Sequence, residues 1–345
     1  MKQNFSGLES LDEETEMKGV CYCEGDTLMS NIRPYLRKTW KADREGVCST
    51  DVLVFHPIDV VSEYLHYLIA SDKFISYVMT GAKGVKMPRG DKEHMMKFSI
   101  MVPSLPEQQK IADFLSTIDT IIEKQRATVL AWEERKKGVM QKLFSQEVRF
   151  KADDGSDFPD WEEKKLGDIG TVKMCKRVLK EQTSESGDVP FYKIGTFGGI
   201  PDAFISRELY EELKTKYSFP RKGNILLSAA GTIGRTVIYD GEDAFFQDSN
   251  IVWLDNDSSV LDKFLLQFYN QTSWDNIEGG TIKRLYNGLF LSKIIPLPSL
   301  PEQQKIADCL SALDAVIEKQ NDIVNIGLHF FLKNVRPYAA SCSEA

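Results

Sequence analysis

The chain has 345 residues, of which 42% are hydrophobic and 27% charged, enough for two globular modules with their own cores plus connecting elements. A formal net charge of −8 argues against a simple stand-alone nucleic-acid binder, because phosphate contacts need Lys and Arg. No apolar run approaches the roughly 18 residues of a membrane span, and the start MKQNFSGLESLDEETEMKG has no secretory core, so no membrane association is expected.

The first module is read as residues 1–102. Its segment 9–26 carries seven acids against one Lys. Arg33, Arg37, Lys38, Lys41 and Arg44 then cluster around Tyr35 and Trp40, and Lys83, Lys86, Arg89, Lys92 and Lys97 form a second basic group. A helix is expected at 62–68. Six scattered cysteines (Cys21, Cys23, Cys48, Cys175, Cys309, Cys342) have no framework spacing, which fits a reducing cytoplasm. Cys21-x-Cys23 has no partner pair, so unliganded thiols are expected there and no metal site.

A long helix follows, within 103–150. Its start, PSLPEQQKIAD, recurs at 298–308, and 18 of the 23 positions of 103–125 are identical to 298–320. Ser104-x-x-Glu107 and Ser299-x-x-Glu302 both match a capping box. Pro106 and Pro301 fit the first turn, where no amide donor is needed. Ile111, Leu115, Ile118, Ile122, Gln125, Val129, Trp132, Lys136, Val139 and Leu143 step by four and three, a coiled-coil seam on a helix about 60 Å long. The second copy supplies Ile306, Leu310, Leu313, Ile317, Gln320 and Val324 at the same places. Gln125 and Gln320 share a slot where a polar residue costs stability and fixes register. Mutual antiparallel packing of the two helices is expected. The second helix, 298–336, weakens after Gln320 and should stop at Pro337, leaving a disordered tail at 337–345.

Between the helices, 151–297 reads as a mixed α+β module. Candidate strands are 165–172, 189–194, 225–227, 236–239 and 251–254, with a helix at 262–269 and Gly-rich loops at 196–199 and 229–235. Lys164, Lys165, Lys173, Lys176, Arg177 and Lys180 make a third basic cluster. The first module echoes this one: GDTLMS at 25–30 parallels GNILLS at 223–228, and Arg89 matches Arg284 at the offset of the repeat. It has no counterpart to roughly forty residues from 161 to 198.

The doubled PSLPEQQKIA, each copy capping a long helix after a variable α+β module, resembles the specificity subunit of type I restriction–modification systems. The resemblance spans nearly the whole chain. It implies an α+β fold in which two target-recognition domains, joined by two antiparallel spacer helices in a pseudo-two-fold repeat, each read half of a split site on double-stranded DNA. It implies no catalytic activity, two methyltransferase subunits and restriction subunits as partners, and a cytoplasmic setting. No cofactor is expected on this chain; S-adenosylmethionine, ATP and Mg belong to the partners. DNA contacts are expected from Arg33, Arg37, Lys38 and Arg89 in the first domain, and from Lys176, Arg177, Lys193, Arg235, Lys283 and Arg284 in the second. The sequence departs from the family pattern in its short first domain and its weak second seam. A truncated or recombined allele, an internal start, or completion by a separate polypeptide would each account for the first departure.

Catalytic readings are weaker. The chain has no G-x-x-x-x-G-K-[ST] and no Asn/Asp-Pro-Pro-aromatic sequence. Pro159-Asp160 with Glu163-x-Lys165 mimics a nuclease signature but crowds its carboxylates into one turn. His56, His66, His94 and His329 are isolated. The alternatives retained are a modification-only or truncated regulatory subunit, and a coiled-coil scaffold that binds proteins.

Overall fold

The structure, a computed structural model, describes residues 19–274 and 284–330. The chain divides into two compact units, Met1–Ala131 with Glu318–Ala345, and Trp132–Ile317. Each unit therefore combines one α+β module with portions of both long helices.

In the first unit, β1 (Val20–Tyr22) pairs with β4 (Gly46–Cys48). A three-stranded antiparallel sheet has β2 (Thr27–Ser30) between β3 (Thr39–Lys41) and β5 (Val52–Phe55). Strand β2 alternates: Leu28 enters a cluster with Tyr22 and Ala42, while Met29 enters another with Phe74, Ile75 and Val78. Trp40 packs edge-on to Tyr22 and so belongs to the core. The helices α1 (Ser62–Ile69), α2 (Asp72–Thr80) and α3 (Lys92–Met95) follow, α2 and α3 capped by Ser71 and Asp91. Tyr64 and Leu68 of α1 pack on Ala112 of α4 (Leu105–Phe144), and Tyr67 donates to Asp119 at 3.0 Å.

In the second unit, β6 (Glu162–Lys165), α5 (Leu166–Ile169) and β7 (Gly170–Lys173) replace the single strand expected at 165–172. The break has a cause: Asp168 accepts the Lys165 amide at 2.9 Å, and Leu166 and Ile169, three apart, are both buried by one helical turn. Gly170 is needed because a Cβ there would lie 2.7 Å from the Asp255 carbonyl. The chain continues through β8 (Val189–Tyr192), β9 (Phe204–Ile205), α6 (Arg207–Lys216), β10 (Ile225–Ser228), β11 (Thr236–Ile238), β12 (Phe245–Phe246) and β13 (Ile251–Asn256). It closes with α7 (Asp262–Gln271), α8 (Asn287–Leu291), β14 (Ile294–Leu297) and α9 (Leu300–Phe330).

The main sheet runs β11-β10-β13-β7, all antiparallel. Its central strands are apolar at successive positions because both faces are covered. Val252 and Leu254 enter one core with Ile225 and Leu227, while Ile251 and Trp253 enter the other with Leu226. Strand β14 pairs with β6 in a separate two-stranded ladder.

The second capping box does not form. Glu302 is fully buried, and its carboxylate accepts from Arg149 Nε at 3.1 Å, Arg149 Nη2 at 2.9 Å and Trp161 Nε1 at 2.9 Å. The Ser299 hydroxyl is left without a hydrogen-bond partner. An arginine fork that neutralises the carboxylate outcompetes a neutral backbone amide.

The repeated motif works instead through its first glutamine. Gln108 Nε2 donates to the Pro103 carbonyl at 2.8 Å, while its Oε1 accepts the amide of Val61, the residue before α1, at 2.8 Å. Gln303 does the same in the other unit. It donates to the carbonyls of Pro298 and Ser259 and accepts the amide of Leu261, the residue before α7, each at 2.9 Å. Each glutamine thus ties the start of a long helix to the start of a module helix.

Helix α4 ends at Phe144, inside the expected 103–150 segment, and Gln146 adopts a left-handed conformation just beyond. Within the second unit, Lys136 pairs with Asp314 at 2.6 Å while Arg149 reaches back to Glu302, so α4 and α9 run antiparallel. Within the first unit, Gln125 Nε2 donates to Gln320 Oε1. Of the seam residues, Leu115, Ile122, Ile306 and Leu310 are buried, and Ile111, Ile118, Gln125, Leu313, Ile317 and Gln320 are half-buried. The expected helix end at 336 and the tail at 337–345 lie outside the described residues.

Replacing Gln303 with Ala would strand the buried Pro298 carbonyl and two half-buried backbone groups, at roughly 1–3 kcal/mol each before relaxation. Gln303→Ala is expected to lower stability by about 3 kcal/mol in urea denaturation. Its exposed neighbour Gln304, which makes only an i,i+4 bond to Asp308, should change by less than about 0.5 kcal/mol when replaced by Ala.

Candidate nucleic-acid interface

The strand directions place several of the candidate basic contacts of each module at one end of its sheet. In the second unit this end collects the close of β10 and β7 and the start of β11 and β13. Three loops meet there. Ala229 donates to the Asn250 carbonyl at 2.7 Å, Leu285 donates to the Ala229 carbonyl at 2.8 Å, and Ala230 bridges Arg284. The loop 229–235 lies against Trp274, where a Cβ on Gly234 would be 2.2 Å from the ring, and Trp274 stacks on Phe290 at 5.7 Å. Gly231 and Gly234 both take left-handed conformations.

Arg177 and Arg284 converge on adjacent residues. Arg177 Nε pairs with Asp248 at 2.9 Å, and Arg284 Nη2 donates to the Ser249 carbonyl at 2.7 Å. Ser249 itself is held left-handed, a strain of about 1 kcal/mol in a residue with a Cβ. Beside it opens a cleft of about 410 Å³ lined by Met174, Ser249, Arg284, Leu285, Tyr286, Asn287 and Gly288. Arg235 is exposed and donates to the Phe197 carbonyl, which joins the two Gly-rich loops. Lys176 lies 4.7 Å from the Tyr217 ring, and Lys193 pairs with Asp202 at 2.8 Å, so each of these two has its own partner. Cys175, next to Lys176, is a core anchor; burial pushes its thiol up to about 12. Lys283 lies outside the described residues.

The first unit repeats the arrangement at the end where β2 closes and β3 and β5 begin. Arg33, Arg37 and Lys38 lie in the β2–β3 connection around a 3-10 turn at Pro34–Leu36. Ile32 bridges Arg89, as Ala230 bridges Arg284. Arg89 pairs with Asp51 at 3.1 Å, Arg37 pairs with Asp72, and Lys38 is exposed. Arg33 and Arg37 are both left-handed, the conformation that Gly231 and Gly234 supply in the other loop. The buried Arg33 Nε and Asn31 Oδ1 have no partner in this loop. Val85 and Met87, on the loop that Arg89 closes, are exposed.

Four of the cations expected to meet nucleic acid are therefore held by Asp51, Asp72, Asp202 and Asp248. Charge counts alone hide this, because Asp72, Asp51 and Asp248 lie 35, 38 and 71 positions along the chain from the cations they hold. The residues that composition did not single out are these acids, the strained Ser249, and the exposed Tyr286 and Asn287 at the cleft.

A family model described as "Type I restriction modification DNA specificity domain" matches residues 10–131 and 159–325. The chain belongs to this family. Among curated specificity-family proteins, a Haemophilus influenzae protein named as a type I restriction enzyme specificity subunit is 42% identical over 258 residues, covering 74% of this chain. The chain spans 65% of that relative's length. The MjaVIII specificity subunit of Methanocaldococcus jannaschii is 25% identical over 300 residues, which cover 80% of this chain and 69% of that protein. The fold matches the crystal structure of a type I S subunit from M. genitalium with a TM-score of 0.54 at 15% identity, over 93% of this chain and 84% of that one. A chain from a structural study of type I complex assembly matches with the same TM-score at 20% identity, over 92% and 82%. This specificity-family chain thus has two recognition-type α+β modules and two long helices, and among its described residues no helix is long and apolar enough to cross a membrane.

The paired acids lead to opposite expectations for neighbouring substitutions. Asp248→Asn releases Arg177 and should strengthen binding of duplex DNA several-fold at low salt. Arg177→Ala should weaken it and reduce the slope of log K against log salt by about 1. Fluorescence anisotropy across a salt series reads both.

Proposed function

We propose that this chain is the DNA-recognition subunit of a type I restriction–modification assembly, with no catalytic chemistry of its own. The observation that carries the reading is the duplication of one basic, strand-end loop arrangement on two modules. Each module is tied by the same buried glutamine to a helix pair. In this reading each loop set meets one half of a split target. The cations hold phosphates, and polar side chains such as Asn287 and Tyr286 meet base edges.

The candidate contacts are Arg33, Arg37, Lys38 and Arg89 in the first half-site, and Arg177, Arg235 and Arg284 in the second. Lys176, Lys193 and Lys283 have supporting roles at the backbone. The paired helices set the spacing of the half-sites, as the separation of two reading heads does in dimeric binders. They also dock two methyltransferase subunits, to which restriction subunits add. S-adenosylmethionine, ATP and Mg act on those partners. Double-stranded genomic DNA as substrate and free thiols on this chain support a cytoplasmic setting.

The reading is tested by co-expressing the chain with a methyltransferase subunit from the same source and mapping methylated adenines across the host genome. A split target of two short defined sequences, separated by a fixed number of unspecified base pairs, is the expected outcome. Failure of the two proteins to co-purify, or methylation at a continuous target, would overturn it. Adding the restriction subunit and scoring ATP-dependent cleavage separates the full system from a modification-only one.

A further inference from the structure

The two strand-end loop sets correspond residue by residue through their ladders. Ser30 lies opposite Val52 in the first unit, and Ser228 lies opposite Ile251 in the second. One step further, the Asn31 amide donates to the Asp51 carbonyl at 2.8 Å and the Ala229 amide to the Asn250 carbonyl at 2.7 Å. Ile32 then bridges Arg89, and Ala230 bridges Arg284. Arg284 is therefore the counterpart of Arg89, and Asn250 that of Asp51. The counterparts differ in charge. Arg89 pairs with the Asp51 carboxylate at 3.1 Å. In the second unit an amide stands at that place, and Arg284 Nη2 donates to the Ser249 carbonyl at 2.7 Å. A tight turn presents that carbonyl: Ser249 has a φ of 61°, and the Asn250 amide closes back on the Asp248 carbonyl at 2.6 Å. A neutral acceptor orients the guanidinium without cancelling its charge, and it takes one of five donors. Arg284 is half-buried and lines one cleft with Tyr286 and Asn287. Arg177, paired with Asp248, has a side chain that is 67% exposed.

The geometry points to Arg284 as a base-reading residue that takes O6 and N7 of a guanine in the second half-site. This rests on the DNA-recognition reading, and it moves one cation of that site from the phosphates to a base edge. A guanidinium fixed by a main-chain carbonyl and half-buried loses little freedom on binding, and it meets only what enters its cleft. A phosphate grip needs no such fixing, and the exposed Arg177 suits it. Guanine offers two acceptors that match the guanidinium fork, whereas each of the other three bases places a donor or a methyl group on that edge.

The test maps methylated sites across a host genome for the full chain and its variants, each co-expressed with the methyltransferase subunit from the same source. The wild-type target is expected to hold a G·C pair in one half-site at which Arg284→Gln shifts the preference to A·T, because glutamine pairs with adenine N6 and N7. Arg284→Lys should keep the guanine with about tenfold lower discrimination. The other half-site and the spacing should be the same for all three proteins. An unchanged target that Arg284→Gln methylates less often overturns the proposal in favour of a phosphate contact. Changes spread over several positions of the half-site, or loss of all methylation by both variants, overturn it in favour of a structural role. A split wild-type target without a G·C pair in either half-site overturns it and leaves the DNA-recognition reading standing. No split target for the wild-type chain overturns both.

Discussion

An apolar coiled-coil seam is free to slide by a heptad unless something polar stops it, and here that constraint is written into each unit. Gln125 meets Gln320 in the first, and Lys136 meets Asp314 in the second. A slipped register would leave Lys136, whose side chain is only 14% exposed, against apolar neighbours without its carboxylate. Such contacts add little net stability compared with an apolar pair of similar size. Their worth lies in excluding other alignments. Asp314 also accepts from Gln267 of α7 at 3.3 Å, so the residue that sets the helix register contacts the module as well.

The strand-end loops show a second balance. Arg89 and Arg177 of the candidate interface are held by aspartates in an acidic protein. On the proposed reading, phosphate binding then becomes an exchange of one anion for another. That lowers the gain from any non-specific duplex and leaves base contacts to decide where the chain stays. Pre-paired arginines are also already ordered, so less side-chain entropy is lost on binding.

Much of the fold was legible because it rests on periodicity. The four-three steps of the long helices, the α7 segment and the strands around 189–192, 225–228 and 251–256 all follow from apolar spacing. The strand expected at 165–172 failed because period-two alternation cannot reveal a side-chain bond such as Asp168 to the Lys165 amide. The capping box at Ser299 failed for a related reason. The pattern S-x-x-E describes a local competition, and Arg149, more than 150 positions away, wins it. In the candidate interface, the basic residues were visible as composition, and the match of Arg89 with Arg284 came from the repeat. Which of them face one another was not visible, because strand direction and the distant acids set it.

The glutamines of the repeated motif have one property that reaches beyond stability. Gln108 and Gln303 hydrogen-bond to their modules through main-chain groups: the amides of Val61 and Leu261, and the carbonyl of Ser259. A hydrogen bond to peptide atoms does not depend on which side chain that peptide carries. On the proposed reading, a joint of this kind would let the side chains of a module change while the hydrogen bonds that seat it stay the same.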